Sequence, residues 1–255
     1  MHHIQKYERV MAIGCRHGDL ANLAVCQQIL DFKKRFKPKH RFDLGDVVDT
    51  AAFRHGAKGT ADETRPVDPD KISAVTWFEQ YEPTHLAWGN HDWRLFNWMN
   101  HPSAIISHSA ATVWNDLNKT LAKLKCQTRP YILRKNWFEL GGMYWGHGQF
   151  FNETALREHA EYLGGPCVMA HIHAPQVAQG RTRHWSQSFC VGMLADMEKL
   201  SYADGNRSTG RWGAGCVWGE VSEKKAHLYL TSAPPGEDLR FPLRSEEHTS
   251  ELQSH

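Results

Sequence analysis

Five short apolar runs in this sequence each lead into a group of histidine, aspartate, asparagine or cysteine side chains. The groups are "CRH" at 15–17, "GDVVD" at 45–49, "GNHD" at 89–92, "GHG" at 146–148 and "HIH" at 171–173. Each run has the length of a buried β-strand, so the polar groups fall where strands end. In open α/β sheets, ligand sites form at the carboxyl ends of the strands. We therefore expect the five loops to converge on one face of the fold.

The predicted elements alternate between strands and helices at first and are mostly strands later. Apolar runs predict strands at 10–14, 41–44, 84–88, 131–133, 137–140, 143–145, 167–170, 188–191, 216–221 and 227–230. Helical periodicity predicts helices at 19–36, 69–81, 93–100, 110–125 and 153–163, with a polar loop or insertion at 54–68. This order favours a mixed-sheet α/β domain.

The composition is typical of a soluble globular protein, with 41% hydrophobic and 23% charged residues. No apolar run is long enough for a membrane span, so we expect no membrane partner. The polar start "MHHIQKYERV" lacks the apolar core of a secretory signal. Six scattered cysteines without a CxxC pair argue against a disulfide framework, so we expect a cytoplasmic protein. The net charge of +2 neither requires nor excludes a nucleic-acid partner.

The last stretch, "RSEEHTSELQSH" at 244–255, looks like the in-frame translation of a sequencing-library adapter. We interpret it as a non-native tail, which belongs outside the fold. The alternative is a natural polar tail. We expect a single domain over 1–243 and an environmental source for the sequence.

Together the five loops carry the donor atoms of a metal centre. Imidazole suits transition metals, and carboxylate oxygens suit harder ones. Two metals about 3.5–4 Å apart need a bridging carboxylate and several terminal ligands. Each group alone also fits a plainer explanation, such as solvated acids, a helix start at "GNHD" or surface histidines. The placement of all five at strand ends favours the metal centre, with candidates Cys15, His17, Asp46, Asp49, Asn90, His91, Asp92, His147, His171 and His173.

These motifs resemble those of the calcineurin-like metallophosphoesterase family. "GDVVD", "GNHD", "WGHG" and "AHIH" match the family's Gly-Asp-x-x-Asp, Gly-Asn-His-Asp/Glu, isolated His and Gly-His-x-His, while "CRH" stands for its Asp-x-His. The stretch 191–217 is more loosely similar to phage-encoded members, which would place the protein in the cytoplasm of the host cell. The resemblance implies a four-layer αββα sandwich of two mixed β-sheets with helices outside.

The resemblance also implies the ligands of two metals. One would be held by His17, Asp46 and His173, and the other by Asp46, Asn90, His147 and His171, so that Asp46 bridges. His91 would act on the leaving-group oxygen, and Asp49 would orient His91. The expected cofactors are two divalent metal ions: Mn, Zn, Fe, Co or Ni.

The chemistry of phosphate esters agrees with such a site, because their negative charge repels hydroxide. Two cations neutralise that charge and lower the pKa of bound water from 15.7 to about 7. A metal-bridging hydroxide then attacks phosphorus, and no protein nucleophile is needed. No nucleophile motif such as GxSxG is present.

Cys15 is the departure from the family pattern, which has Asp at this place. As a thiolate ligand it would keep the negative charge and favour softer metals such as Zn²⁺ or Fe²⁺ over Mn²⁺. Alternatively, it is a small buried residue beside a weakened first metal position. In a third interpretation Asp19 supplies the missing carboxylate, although Asp19 also suits the start of the following helix.

The substrate is predicted only by class. The residues after "GDVVD" are Thr50 and Ala51 rather than the Arg-Gly of protein phosphatases, so we expect a phosphodiesterase acting on nucleotides or DNA. The alternatives are a phosphomonoesterase or broad-specificity phosphatase, and a catalytically weakened metal-binding module. The oligomeric state stays open, with a homodimer among the options.

Two sets of residues are candidates for substrate contact. Three arginines either bind phosphates or lie in solvated loops: Arg54, Arg181 and Arg183. Four aromatic residues either stack on bases or pack in the core: Trp88, Trp93, Phe96 and Trp98.

Overall fold

The first apolar run forms a central strand whose alternate residues face two different layers. The computed structural model describes residues 6–179, 187–203 and 207–242. In these ranges the strands are β1 (Glu8–Ile13), β2 (His40–Asp43), β3 (His85–Ala87), β4 (Gln127–Arg129), β5 (Phe138–Leu140), β6 (Met143–Trp145), β7 (Cys167–Met169), β8 (Gln176–Gln179), β9 (Gln187–Cys190), β10 (Ala214–Val221) and β11 (Ala226–Ala233). The α-helices are α1 (Leu23–Phe36), α2 (Asp68–Tyr81), α3 (Asn90–Trp98), α4 (Ala104–Lys123) and α5 (Ala155–Leu163).

The strands form two mixed sheets. The first has the order β11-β10-β1-β2-β3-β4, in which β1 to β4 are parallel and β10 and β11 antiparallel. The second has the order β5-β6-β7-β9-β8, with parallel pairing from β6 to β9 and antiparallel edges. Both therefore combine the two kinds of ladder, as expected for a mixed α/β fold.

The two sheets face each other across an apolar core. Val10 and Ala12 of β1 point into this core, where Phe42 stacks on Trp145 of the second sheet with ring centroids 4.7 Å apart. Met11 and Ile13 point the other way, because side chains alternate along a strand, and they pack under α1 to α4. Helix α5 covers the outer face of the second sheet. The layers are thus helices, sheet, sheet and helix, which confirms the four-layer prediction.

Most element positions agree with the predictions, but the strand at 131–133 is wrong. That segment follows Pro130 and turns, with Ile132 N–H donating to the Pro130 carbonyl (2.8 Å) and Asn136 N–H to the Ile132 carbonyl (2.9 Å). The strand lies earlier, at β4, whose residues are all exposed and pair only with β3. Strand β8 was also missed. Helix α3 begins at Asn90, so "GNHD" forms a helix start rather than a loop before one.

The polar insertion at 54–68 contains the short 3₁₀ helix Ala61–Thr64, and another 3₁₀ helix, Ala51–Phe53, precedes it. Among the described residues, no helix combines the length and apolar character needed to cross a bilayer. The proposed adapter tail at 244–255 and the candidates Arg181 and Arg183 lie outside the described residues.

Candidate metal centre

The parallel strands bring the five loops to one edge of the sandwich. Ile13 pairs with Asp43 and Asp43 with Leu86, so β1, β2 and β3 end side by side. Backbone bonds continue this register into the loops, as Cys15 N–H donates to the Gly45 carbonyl (2.8 Å). In the second sheet, β6 and β7 end together, and Ala170 N–H donates to the His147 carbonyl (3.1 Å). The loops therefore meet where the two sheets face each other.

One group of donors comprises Cys15, His17, Asp46 and His173. Each offers a ligand atom, and these atoms all lie within 4.8 Å of one another. Nδ1 of His17 donates to Oδ1 of Asp49 at 3.1 Å. The opposite nitrogen, Nε2, lies 3.1 Å from Nε2 of His173. Two imidazole nitrogens facing each other in a buried group suit a shared cation.

A second group comprises Asp46, His147 and His171. Nδ1 of His147 lies 2.6 Å from the Leu44 carbonyl, which can only accept, so this nitrogen carries the proton. Its Nε2 lies 3.2 Å from Oδ2 of Asp46, from Oδ1 of Asn90 and from Nδ1 of His171. A single proton on Nε2 can bridge to only one of these atoms at a time, whereas a cation at their centre binds them together. The donor set therefore fits a metal ion.

Asp46 belongs to both groups and lies between them. Its Oδ1 accepts the His91 backbone N–H at 2.8 Å, in the first turn of α3. Burial alone would raise the pKa of Asp46, but the positive charges of His147, His91 and His17 lower it well below its usual range. Asp46 is thus ionised and offers a ligand oxygen to either group.

His171 and His173 are held in the neutral form that binds metals. Burial and the charge of His147 lower the pKa of His171 to about 3. Burial and the charge of His17 lower the pKa of His173 well below its usual value. Nδ1 of His173 is also buried without a hydrogen-bond partner among the described residues. Neutral imidazole is the common histidine ligand form, which adds to the fit.

Cys15 lies in the first group with its side chain fully buried. Its Sγ accepts the His171 backbone N–H at 3.2 Å. Burial and the charge of Asp46 raise the pKa of the thiol well above its usual value, so the thiolate requires a cation beside it. Asp19, the third interpretation, belongs to neither donor group, and Arg65 donates to both its carboxylate oxygens at 2.9 and 3.0 Å.

His91 stands beside the metal groups with Asp49. Its Nδ1 lies 2.9 Å from the Asp49 carbonyl oxygen and 3.1 Å from Oδ1 of Asp49. Both oxygens accept, so Nδ1 carries the proton and Nε2 lies on the other side of the ring. Burial would raise the pKa of Asp49, but hydrogen bonds from His17 and His91 lower it. Asp49 is therefore an ionised acceptor that orients two histidines at once.

Asp92 holds the "GDVVD" loop through hydrogen bonds to its backbone, a role that the sequence analysis did not predict. Its fully buried carboxylate accepts four backbone N–H groups: Gly89 (2.9 Å), Asp46 (2.8 Å), Val47 (2.9 Å) and Val48 (3.1 Å). The loops approach so closely that a Cβ on Gly89 would lie 2.1 Å from Oδ1 of Asp46. Asp92 at the third position of α3 also forms a capping-box contact with Gly89; this local pattern predicts a helix start but not the bonds to the "GDVVD" loop.

The site concentrates left-handed backbone at residues other than glycine. Positive φ angles between 52° and 67° occur at Cys15, His17, Asp46, Thr50, His171 and His173. Such conformations cost about 1–3 kcal/mol each and persist where the surroundings impose them. Much of the loop bonding described above therefore offsets strain in the donor loops.

A cavity of about 360 Å³ opens over the two groups. Asp46, Asn90, His91, His171 and His173 line it, together with the aromatic residues Phe151, Tyr202 and Trp212. The volume lies in the usual range of small-molecule sites, about 300–1,000 Å³. Tyr202 and Trp212 belong to the stretch 191–217 noted in the sequence, whereas no motif marks Phe151.

Among the described residues, those predicted to contact the substrate do not line this cavity. Arg54 pairs with Asp62 and lies over the Tyr202 ring, with its guanidinium carbon 5.8 Å from the ring centroid. Trp88 is buried against Trp114 at 4.7 Å between centroids, and Trp93 stacks on Phe96 at 4.4 Å. The aromatic side chains around α3 therefore mainly pack within the protein. Of the four predicted to stack on bases, Trp88, Trp93, Phe96 and Trp98, only Phe96 is exposed. The role of Arg54 stays a prediction.

Comparison with known proteins gives structural likeness at low identity. No protein-family model matches the sequence, and no curated protein matches it significantly. A metallophosphoesterase from Sphaerobacter thermophilus is 16% identical, with a TM-score of 0.49 over 88% of each chain. A phosphatase from Mycoplasma pneumoniae is 10% identical, with a TM-score of 0.46 over 91% of this chain and 96% of that one.

Vacuolar protein sorting 29 from Cryptosporidium parvum is similar to the chain at the same level. It is 11% identical, with a TM-score of 0.45 over 91% of this chain and 94% of that one. At these identities and TM-scores, function is inferred from the residues of this chain alone.

Proposed function

We propose that this chain is a dinuclear metal-dependent phosphoesterase, and that it hydrolyses phosphodiesters of nucleotides or nucleic acids. The observation that carries the proposal is the pair of donor groups that share Asp46, all of them buried except the half-buried His171. His17, His173 and Cys15 would hold one cation with Asp46, and Asn90, His147 and His171 would hold the other. Two such cations neutralise the charge of a phosphoester and lower the pKa of water near it.

His91 would serve the leaving group. With Nδ1–H bonded to Asp49, the Nε2 of His91 is the atom that would give a proton to the departing oxygen from the imidazolium form of the ring, which the ionised Asp49 carboxylate stabilises. The ring lines the cavity beside Asp46. In the first turn of α3, the His91 backbone N–H donates to Asp46, and this bond favours the ionised carboxylate. The chain thus supplies a proton donor beside the donor groups.

The charge around the cavity favours a diester over a monoester. A phosphomonoester dianion carries one more negative charge than a diester, so it gains more from cationic side chains near the phosphate. Among the described residues that line the cavity, Arg211 is the one with a permanent positive charge, and it pairs with Glu153 at 3.3 Å. The aromatic lining formed by Phe151, Tyr202 and Trp212 instead suits a second, less polar ester group.

The test combines metal analysis with a substrate panel. Protein purified without chelator should contain two metal equivalents by mass spectrometry. With Mn²⁺, Zn²⁺, Fe²⁺, Co²⁺ or Ni²⁺ it should cleave bis-p-nitrophenyl phosphate faster than p-nitrophenyl phosphate, and it should cleave labelled single- or double-stranded DNA. Faster cleavage of the monoester would replace the proposal with a phosphomonoesterase. Inactivity on all substrates with two metals bound would leave a metal-binding module.

A further inference from the structure

Phe151 is the feature of the cavity that the proposed chemistry does not use. Its side chain is 85% exposed, although it lies at the rim of the cavity whose floor contains Asp46, Asn90 and His171. It follows the donor His147 by four positions on the same loop. A single exposed apolar residue is ordinary on a protein surface, so its meaning depends on how the loop is built.

The loop is fixed from behind by His159. Nε2 of His159 accepts the backbone N–H groups of Gln149 (2.9 Å) and Phe150 (3.3 Å), and its Nδ1 donates to the Ala155 carbonyl (2.7 Å). The Phe150 ring packs on the His159 ring with centroids 4.3 Å apart. His159 itself is fully buried. The backbone that precedes Phe151 is therefore anchored to α5.

The residues after Phe151 are also engaged. Oδ1 of Asn152 accepts the Thr154 backbone N–H at 2.9 Å, and its Nδ2 donates to Glu158 at 2.9 Å. Glu153 pairs with Arg211. The loop thus holds one aromatic ring in the open beside the donor groups, while its polar neighbours bond within the protein. Because the backbone on both sides of Phe151 is held, a ligand that contacts the ring restricts only the two χ angles of its side chain.

We infer that Phe151 is a stacking platform for the base of a nucleoside phosphodiester whose phosphate lies over Asp46. The inference rests on the proposed function and names the part of the substrate that the rim recognises. Every base presents a π-face, so stacking tolerates sequence. Because the side chains of Asn152 and Glu153 are already bonded within the protein, Phe151 would contact the face of the base and not its hydrogen-bonding edge, so thymine, cytosine and adenine should all be accepted.

The experiment compares two p-nitrophenyl diesters that differ only in the second ester group. One is thymidine 5′-p-nitrophenyl phosphate, and the other is methyl p-nitrophenyl phosphate. The readout is the ratio of their kcat/KM values for the metal-loaded enzyme. Phe151→Ala should lower this ratio by about 5- to 150-fold, mainly through KM of the thymidine ester. Phe151→Trp should keep or raise it, and Phe151→Leu should lower it.

Ile105→Ala is the matched control, because Ile105 is 83% exposed on α4 and does not line the cavity. It should leave the ratio as in the wild type. An unchanged ratio in Phe151→Ala, or equal ratios for Phe151→Leu and Phe151→Trp, would overturn the inference while leaving the phosphoesterase proposal intact. Wild-type inactivity on both esters with every metal would instead overturn the proposed function.

Discussion

The carboxylate of Asp92 connects two loops of the site, and its replacement gives a measurable test of how the site is built. Asp92 is fully buried and accepts N–H groups from Gly89 and Asp46 on one oxygen and from Val47 and Val48 on the other. In Asp92→Asn, one oxygen remains an acceptor and the other becomes an NH₂ group. Two backbone N–H groups then face a donor.

The expected loss of stability follows from those two groups. A buried donor without an acceptor costs about 1–3 kcal/mol, so Asp92→Asn should lower the free energy of unfolding by about 2–6 kcal/mol. Domains are typically stable by about 5–15 kcal/mol, so the loss is large but compatible with a folded protein at low temperature. The displaced loop carries Asp46, so metal affinity should fall as well.

Urea unfolding of chelator-treated protein, followed by circular dichroism, measures the loss of stability without any contribution from bound metal. Asp31→Asn is the matched control, because the same chemical change occurs at an exposed position of α1 and should stay within about 0.5 kcal/mol. Isothermal titration calorimetry with Zn²⁺ measures the loss of metal affinity. Equal midpoints for Asp92→Asn and Asp31→Asn would refute the reasoning that Asp92 supports the loop.

Three further substitutions test the roles of single residues. His91→Ala should keep two metal equivalents and lower kcat by about 10²- to 10⁴-fold, more for alkyl than for p-nitrophenyl leaving groups; loss of metal would make His91 a ligand. Asp46→Ala should reduce bound metal from two equivalents to none by mass spectrometry, because both groups share this carboxylate; two retained equivalents would contradict bridging. Cys15→Asp should raise the ratio of Mn²⁺- to Zn²⁺-supported activity, since a hard oxygen replaces sulfur. Asp tolerates the left-handed backbone at this position. An unchanged ratio would indicate that Cys15 only packs in the core.

The sequence located the donor loops because each one follows a strong local pattern. The strands before them are short apolar runs, and the carboxyl ends of parallel strands lie at one edge by geometry alone. The sequence alone therefore predicts that His17, Asp46, Asn90, His147, His171 and His173 lie near one another. The roles of these residues as ligands stay predictions.

The contacts between loops had no such local signal. Asp92 reads as a helix-start residue, and its bonds to Val47 and Val48 depend on how two distant loops dock. Strand β4 was missed because "QTR" is polar and exposed, and only pairing with β3 makes it a strand. Phe151 looks like any aromatic residue until the cavity beside it is known.

The donor atoms are divided between the two halves of the chain. Cys15, His17, Asp46 and Asn90 follow strands of the first sheet, whereas His147, His171 and His173 follow strands of the second. A cation bound by both sets is a cross-link between the sheets that the unfolded chain cannot form. At a concentration 100 times its dissociation constant, such an ion adds about 2.7 kcal/mol to folding. The supply of metal in the cell would then affect the stability of the fold as well as the activity proposed for the site.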